Sequence, residues 1–458
     1  MRRLLALGLL AALPLVQDAR ADENADLDMI PGAVATAAAP PAETAPAGGK
    51  LSLENAAGLS GLRPLAVPLP GRTPPRWGDR TSLDGRWEWN LGHDVRLNVS
   101  DRLDVFARDG LAFGQGRTAA NNLREAYLTW EAAPRLYVEA GRINVRNGVA
   151  LGFNPTDYFR AGSAVDQATA DPSALRENRL GTMMLRGQHI AEWGSVSFAY
   201  APKLFEPARI GQGATAPLDP HLDRTNAAAR WLLTLHPDLG DIAPELLVFN
   251  HSGRTSLGAN LTAPVGQQIV AYAEWSGGAA QGLAAEAIGY GIRTFTLPST
   301  VRGLAGTAQG FRNDLAVGFA WTGESKVTVN LEYLFHEAGF SRTDWRRWYA
   351  AGRSSPLLAG VMWYERGYAA DQQYPAGRQQ MFVRASWPDA IARDIDLTAL
   401  SFVSLDDGSA LAQVSANWNI DRQWSAAAYL AANLGPPRSI YGSLKSAISA
   451  TAQVVRYF

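Results

Sequence analysis

The last eleven residues read Ile448-Ser-Ala-Thr-Ala-Gln-Val-Val-Arg-Tyr-Phe458. Apolar side chains fall at every second position (Ile448, Ala450, Ala452, Val454), with Ser449, Thr451 and Gln453 between them. A period of two marks an extended strand with one apolar and one polar face. The strand runs straight to a terminal aromatic.

The same period recurs upstream. From 85 to 97 the odd positions are Gly85, Trp87, Trp89, Leu91, His93, Val95 and Leu97, and the even ones are Arg86, Glu88, Asn90, Gly92, Asp94 and Arg96. Between 326 and 336, Val327, Val329, Leu331, Tyr333 and Phe335 alternate with Lys326, Thr328, Asn330, Glu332 and His336. Between 412 and 418, Ala412, Val414, Ala416 and Trp418 alternate with Gln413, Ser415 and Asn417. One face of each strand suits lipid and the other water. No run of about 18 apolar residues occurs, so no helix is expected to cross a membrane.

The other end carries an export pattern. Met1-Arg2-Arg3 is a short basic region, Leu4 to Val16 is an apolar core too short to span a bilayer, and Ala19-Arg20-Ala21 is an A-x-A cleavage site. Residues 1–21 are expected to be a cleaved signal peptide. Residues 22–82, rich in Ala and Pro, read as a periplasmic lead-in whose first part is disordered and which could lend the barrel a strand or a plug-like segment. Residues 83–458 read as the barrel. Cysteine is absent, which suits an oxidising compartment.

Taken together, the terminal strand resembles the closing strand of bacterial outer-membrane β-barrels. The resemblance implies that the barrel-assembly machinery reads Phe458 as its signal, with membrane lipid and lipopolysaccharide as neighbours. The expected fold is all-β: a transmembrane antiparallel barrel of 16 to 18 strands. Short links are expected at 98–102, 132–135, 191–194, 236–241, 263–267, 322–325, 389–393 and 419–422, and barrels of this class place such turns in the periplasm. The longer segments 143–178, 202–224, 278–310 and 337–377 are expected outside the cell or inside the lumen.

The sharpest motif follows the strand Leu136–Arg142. A strand ending Gly141-Arg142, a Gly-containing stretch and then Asn154-Pro155-Thr156-Asp157 resembles a pattern in porin-like and polysaccharide-export barrels, over about residues 121–160. Asn-Pro opens a turn and Asp157 suits backbone N–H groups or a forked arginine, with Arg142 or Arg146 as the candidate partner. The loop reads either as a structural lock or as a constriction, with Arg142, Arg146 and Arg160 as its positive side, Asp157 and Asp166 opposite, and Asn154 among its candidate residues. In 337–377, Trp345, Arg346, Arg347, Trp348, Trp363 and Arg366 combine flat rings with guanidinium groups, a chemistry that suits glycans, although rings also build loop cores.

Charge excludes some classes. The net charge is −1, which speaks against nucleic-acid binding. Lysine occurs only at Lys50, Lys203, Lys326 and Lys445, leaving 38 arginines among 42 basic residues. The six scattered histidines give no metal-ligand spacing, and no cofactor motif is present. The nearest approach to a hydrolytic pair, His251-Ser252, puts adjacent residues on opposite faces of a strand. The expected function is a non-enzymatic channel for small solutes or an exported saccharide, with an arginine-containing lumen. The alternative is a closed structural or glycan-attachment barrel.

Overall fold

Period-two alternation becomes an eighteen-strand barrel. The structure is a computed structural model that describes residues 48–70, 74–108, 119–210, 219–304 and 309–458. The expected signal peptide, and the Ala/Pro-rich stretch up to residue 47 with its expected disorder, lie outside the described residues.

The strands, in chain order, are β1 (Gly48–Leu62), β2 (Trp77–Asn90), β3 (Val95–Arg108), β4 (Ala119–Ala133), β5 (Leu136–Ile143), β6 (Thr182–Ala191), β7 (Gly194–Ala201), β8 (Arg230–Pro237), β9 (Ala243–His251), β10 (Arg254–Val265), β11 (Ile269–Ala280), β12 (Gly310–Thr322), β13 (Thr328–His336), β14 (Gln379–Trp387), β15 (Ile395–Ser404), β16 (Ala410–Asn419), β17 (Trp424–Leu434) and β18 (Ser446–Tyr457). Each pairs antiparallel with its chain neighbours, and β1 closes the ring on β18. Closure leaves no strand edge without a partner, which a sheet in hydrocarbon requires.

The closing pair explains the terminal pattern. Ala450 sits opposite Leu59 and Ala452 opposite Ala57, while Phe458 N–H donates to Leu51 O at 2.9 Å. The strand β1 comes from the stretch read as a lead-in that could lend the barrel a strand, and among the described residues both β1 and the start of β2 at Trp77 lie ahead of the expected boundary at 83. The outward positions of β1 carry Leu51, Leu53, Ala57 and Leu59, interrupted by Asn55 and Gly61, so its apolar face is broken.

Seven of the eight expected short links are turns. The exception is 98–102, which lies inside β3; the true β2–β3 link is 91–94. A bulge between Ser100 and Asp101 interrupts the register there. The polar residues that resembled a turn instead face inward, where Arg102 meets Asp104 at 2.8 Å and Glu54 at 3.0 Å.

Large apolar residues cover the outside: Leu83, Val105, Leu128, Leu185, Phe198, Leu257 and Val317 are exposed. Trp89, Trp130, Trp418 and Trp424 are exposed beside the short turns, as an interfacial girdle requires.

The long connections hold the helices α1 (Pro172–Glu177), α2 (Leu222–Thr225), α3 (Leu283–Arg293), α4 (Arg342–Ser354) and α5 (Pro356–Asp371). α3, α4 and α5 share a core with Val67 and Ile440, built around Ile288, Trp345, Trp348, Val361, Met362 and Tyr368. They form a helical cap at the long-loop end. Local chemistry starts them: Ser341 and Asp344 make a reciprocal capping box on α4, and Ser355 caps α5 with Pro356 behind it.

Candidate functional site

Residues 144–181 leave β5, cross the lumen and return as β6. Their polar backbone could not lie buried without partners, and inward side chains of the barrel supply many of them. With bonds to the loop's side chains included, β2, β4, β9, β10, β11, β13, β14 and β16 hold it. Asn147 Nδ2 donates to Glu245 at 2.7 Å. Glu274 on β11 accepts the N–H groups of Val149 and Ala150. Glu332 on β13 accepts those of Leu151 (2.7 Å) and Gly152 (2.8 Å), and also the Tyr272 hydroxyl (2.7 Å). Gly148 has φ +72°, and a Cβ there would fall 2.5 Å from Glu274 Oε1. Only glycine lets the backbone approach this carboxylate so closely.

The Asn-Pro-Thr-Asp turn is an internal lock. Asn154 Oδ1 accepts Thr156 N–H at 3.1 Å, and its Nδ2 donates to Asn147 O at 2.7 Å. Thr156 Oγ1 donates to Asn260 at 3.0 Å, and the Tyr158 hydroxyl lies 2.9 Å from Ser276 Oγ. Asp157 takes a bidentate fork from Arg179 at 2.7 and 2.8 Å, with Arg176 Nε at 3.4 Å. Burial would raise the Asp157 carboxyl, but Arg179 and then Arg176 outweigh it and hold it below the usual carboxylate range.

The return limb is held as firmly. Arg80 donates to Asp166 O at 2.5 Å, and Gln413 accepts Ala170 N–H at 2.8 Å while donating to Thr169 Oγ1 at 2.9 Å. Arg384 pairs with Asp171 at 2.9 Å, and Arg86 and Arg124 donate to Asn178 at 2.8 and 3.0 Å.

The sequence-predicted residues therefore divide. The expected fork from Arg142 or Arg146 to Asp157 does not form, because Arg179 and Arg176 occupy that carboxylate. Arg142 is 1% exposed and turns to Gly181 O and Pro220 O. Arg160 is buried, bonds to Asn154 O and Asp157 O, and packs its guanidinium against the rings of Phe153 and Tyr374. Asn154 and Asp157 are buried too. Of the six, only Arg146 and Asp166 have exposed side chains.

The loop 337–378 is helical, and its rings face inward on one another. Trp345 and Trp348 are buried; with Trp363 they surround Arg366, whose guanidinium lies 5.3 to 5.8 Å from the three ring centroids. Arg366 also donates to Ser443 Oγ (2.5 Å) and Ile440 O (2.7 Å). The faces expected to stack on sugar are thus engaged inside the cap, while Arg346 and Arg347 remain exposed. Phe458 is half-exposed at the short-turn end with the Arg456 guanidinium 4.9 Å from its ring. His251 ends β9 and Ser252 sits in the hairpin turn at φ +52°.

Sequence reading missed Glu274, Arg176 and Arg179. Period two marks Glu274 as inward, yet nothing local says that it meets backbone more than a hundred residues away. Pairing of Arg179 with Asp157 was hidden because the loop folds back before β6.

No protein-family model and no curated relative matches the chain. Solved structures do. Acinetobacter baumannii OccAB1 superposes with TM-score 0.52 at 9% identity, over 90% of this chain and 96% of that one. The fold is that of porin-like outer-membrane barrels. Acinetobacter baumannii OccAB3 (0.50, 9% identity, 91% and 100% coverage) and Pseudomonas aeruginosa OccK5 (0.50, 8%, 90% and 97%) agree. At such identity the likeness concerns architecture alone.

Proposed function

We propose that the protein is a non-enzymatic outer-membrane channel of porin type, in which residues 144–181 form the constriction. The observation that carries this reading is the inward fold of that loop and its attachment to eight strands. A segment that only shields a rim has no need of buried carboxylates on β11 and β13 to hold its backbone inside the barrel. Long loops held by a rigid scaffold are where barrels place selectivity.

Small solutes are the proposed cargo. Exposed Arg146 and Asp166 border the passage with opposite signs. Paired arginines and carboxylates on β1 to β4 (Arg80–Glu54 at 2.6 Å, Arg102–Asp104 at 2.8 Å) add charge without a large net bias. Export of a saccharide fits less well, because the cap's aromatic faces are used internally. In this reading the short turns face the periplasm, the cap faces outward, lipopolysaccharide borders the outer leaflet, and Phe458 serves the assembly machinery after signal removal.

The test is a planar bilayer. Purified protein should give discrete conductance steps, and deletion of 160–175 should raise conductance several-fold. Arg146→Ala should shift ion preference toward cations. Silence of both the native and the deleted protein would favour a closed structural barrel.

A further inference from the structure

The middle of the constriction loop is held by the helical cap as well as within the loop, where Leu180 N–H donates to Ser163 O at 2.8 Å and Arg160 bonds to Asp157 O, and its flanks are held by the barrel wall. Gly162 N–H donates to Asp371 O, the last residue of α5, at 2.9 Å. Gln373 Nε2 donates to Arg160 O at 2.8 Å and to Ser163 Oγ at 3.1 Å. The Tyr374 ring lies 5.1 Å from the Arg160 guanidinium and stacks on His336 at 4.8 Å. Both sides of this joint are left-handed, with φ +69° at Gly162 and +55° at Gln373. A Cβ on Gly162 would fall 2.6 Å from Arg224 O.

The holds differ in kind. Residues 149–152 donate to two carboxylates, Asp157 is forked by Arg179, and Asp171 is paired with Arg384. The pairs at Asp157 and Asp171 are charge-assisted, roughly twice as strong as neutral ones, and the two glutamates hold four buried amides. At the joint the hydrogen bonds between cap and loop link neutral amides, carbonyls and a hydroxyl, and the one ion pair there among the described residues is the long Arg224–Asp371 contact at 4.0 Å. The cap has its own packed core, so its helices shift as a unit rather than side chain by side chain.

We propose that α5 and the residues after it couple the cap to the pore, so that displacement of the cap frees residues 160–163 while 149–152 stay on the wall. The cap is then a device through which an event at the long-loop face, such as contact with another molecule, changes the width of the constriction. Its effect on conductance rests on the channel reading; the coupling itself does not.

Hydrogen exchange on the intact, lipid-reconstituted protein tests it. Arg366→Gln and, separately, Trp348→Ala loosen the cap at residues whose contacts lie within the cap and the β17–β18 loop. In both, amides of 356–371 and of 160–163 should exchange faster together, by about tenfold or more as a local opening unit, while 149–152 keep their protection. Bilayer recordings should show more frequent conductance transitions. Faster exchange in 356–371 with 160–163 unchanged, in either variant, overturns the coupling. Coupled exchange in a protein that never conducts sustains the coupling and defeats the channel reading.

Discussion

Glu274 and Glu332, on inner faces two strands apart, share four consecutive backbone donors of one loop. Glu274 takes Val149 and Ala150, and Glu332 takes Leu151 and Gly152. Neither has an arginine or lysine within ion-pair distance among the described residues; their oxygens are met by backbone N–H groups and, at Glu332, by the Tyr272 hydroxyl. Replacing Glu332 by Ala leaves those buried donors without an acceptor, at about 1–3 kcal/mol for each group. The expected outcome is a folded barrel with a loosened loop, seen as faster amide exchange at 149–152 and a noisier open channel. Unchanged protection there would mean that the carboxylate does not hold the loop.

Asp157→Asn should be costly for a different reason. It strands Arg179, 1% exposed, without its counter-charge, and breaking one side of a buried pair costs about 3–5 kcal/mol. Urea unfolding followed by heat-modifiable gel mobility measures the loss. Acid acts in the same direction. The depressed Asp157 carboxyl contributes stability above its unfolded value, near 3.8, and that contribution fades as the pH falls through its lower folded value.

The lipid and lumen faces of the barrel should answer differently to charge. Leu331 lies on the lipid face, so Leu331→Arg near the midplane should cost about 2–4 kcal/mol. The inward position Gln453 of β18 lies opposite the small Ala56 and Ala427, which leave room for a longer side chain. Gln453→Arg should cost much less. Equal losses in a folding titration would refute the assigned faces.

The cap should weaken with alkali. Burial, with Asp344 nearby, pushes the Glu365 carboxyl of α5 up to about 8. A folded value above the unfolded one, 4.5, means the folded cap binds the proton more tightly. Its stabilisation is full below about pH 4.5 and is lost as the pH rises through about 8. Fluorescence of the Trp345–Trp348–Trp363 cluster should report loosening over that window, and Glu365→Gln should flatten the response. A pH-independent signal in the native protein would contradict it.

Much of this was legible from residue order. Period two at 85–90, 328–336 and 410–418 marks strands with a lipid face and a water face, and the run from Ile448 to Phe458 marks the closing strand; the alternation read through 85–97 joins the end of β2 to the start of β3 across the turn 91–94. Those readings need only local periodicity, because a strand in lipid must put apolar groups on alternate positions whatever its neighbours are. Strand β1 is legible only loosely, as a strand that the lead-in could lend, because Asn55 and Gly61 interrupt the outward face of Leu51, Leu53, Ala57 and Leu59. The link at 98–102 was misplaced because inward polar residues at a bulge resemble a turn. Tertiary structure alone decided the site. It joined Asp157 to Arg179, gave four amides to Glu274 and Glu332, and closed three tryptophans around Arg366. Each of these pairs groups far apart in the chain or on facing limbs of one loop, and which partner a charged side chain finds depends on where the barrel's closure places it, a quantity no local pattern carries.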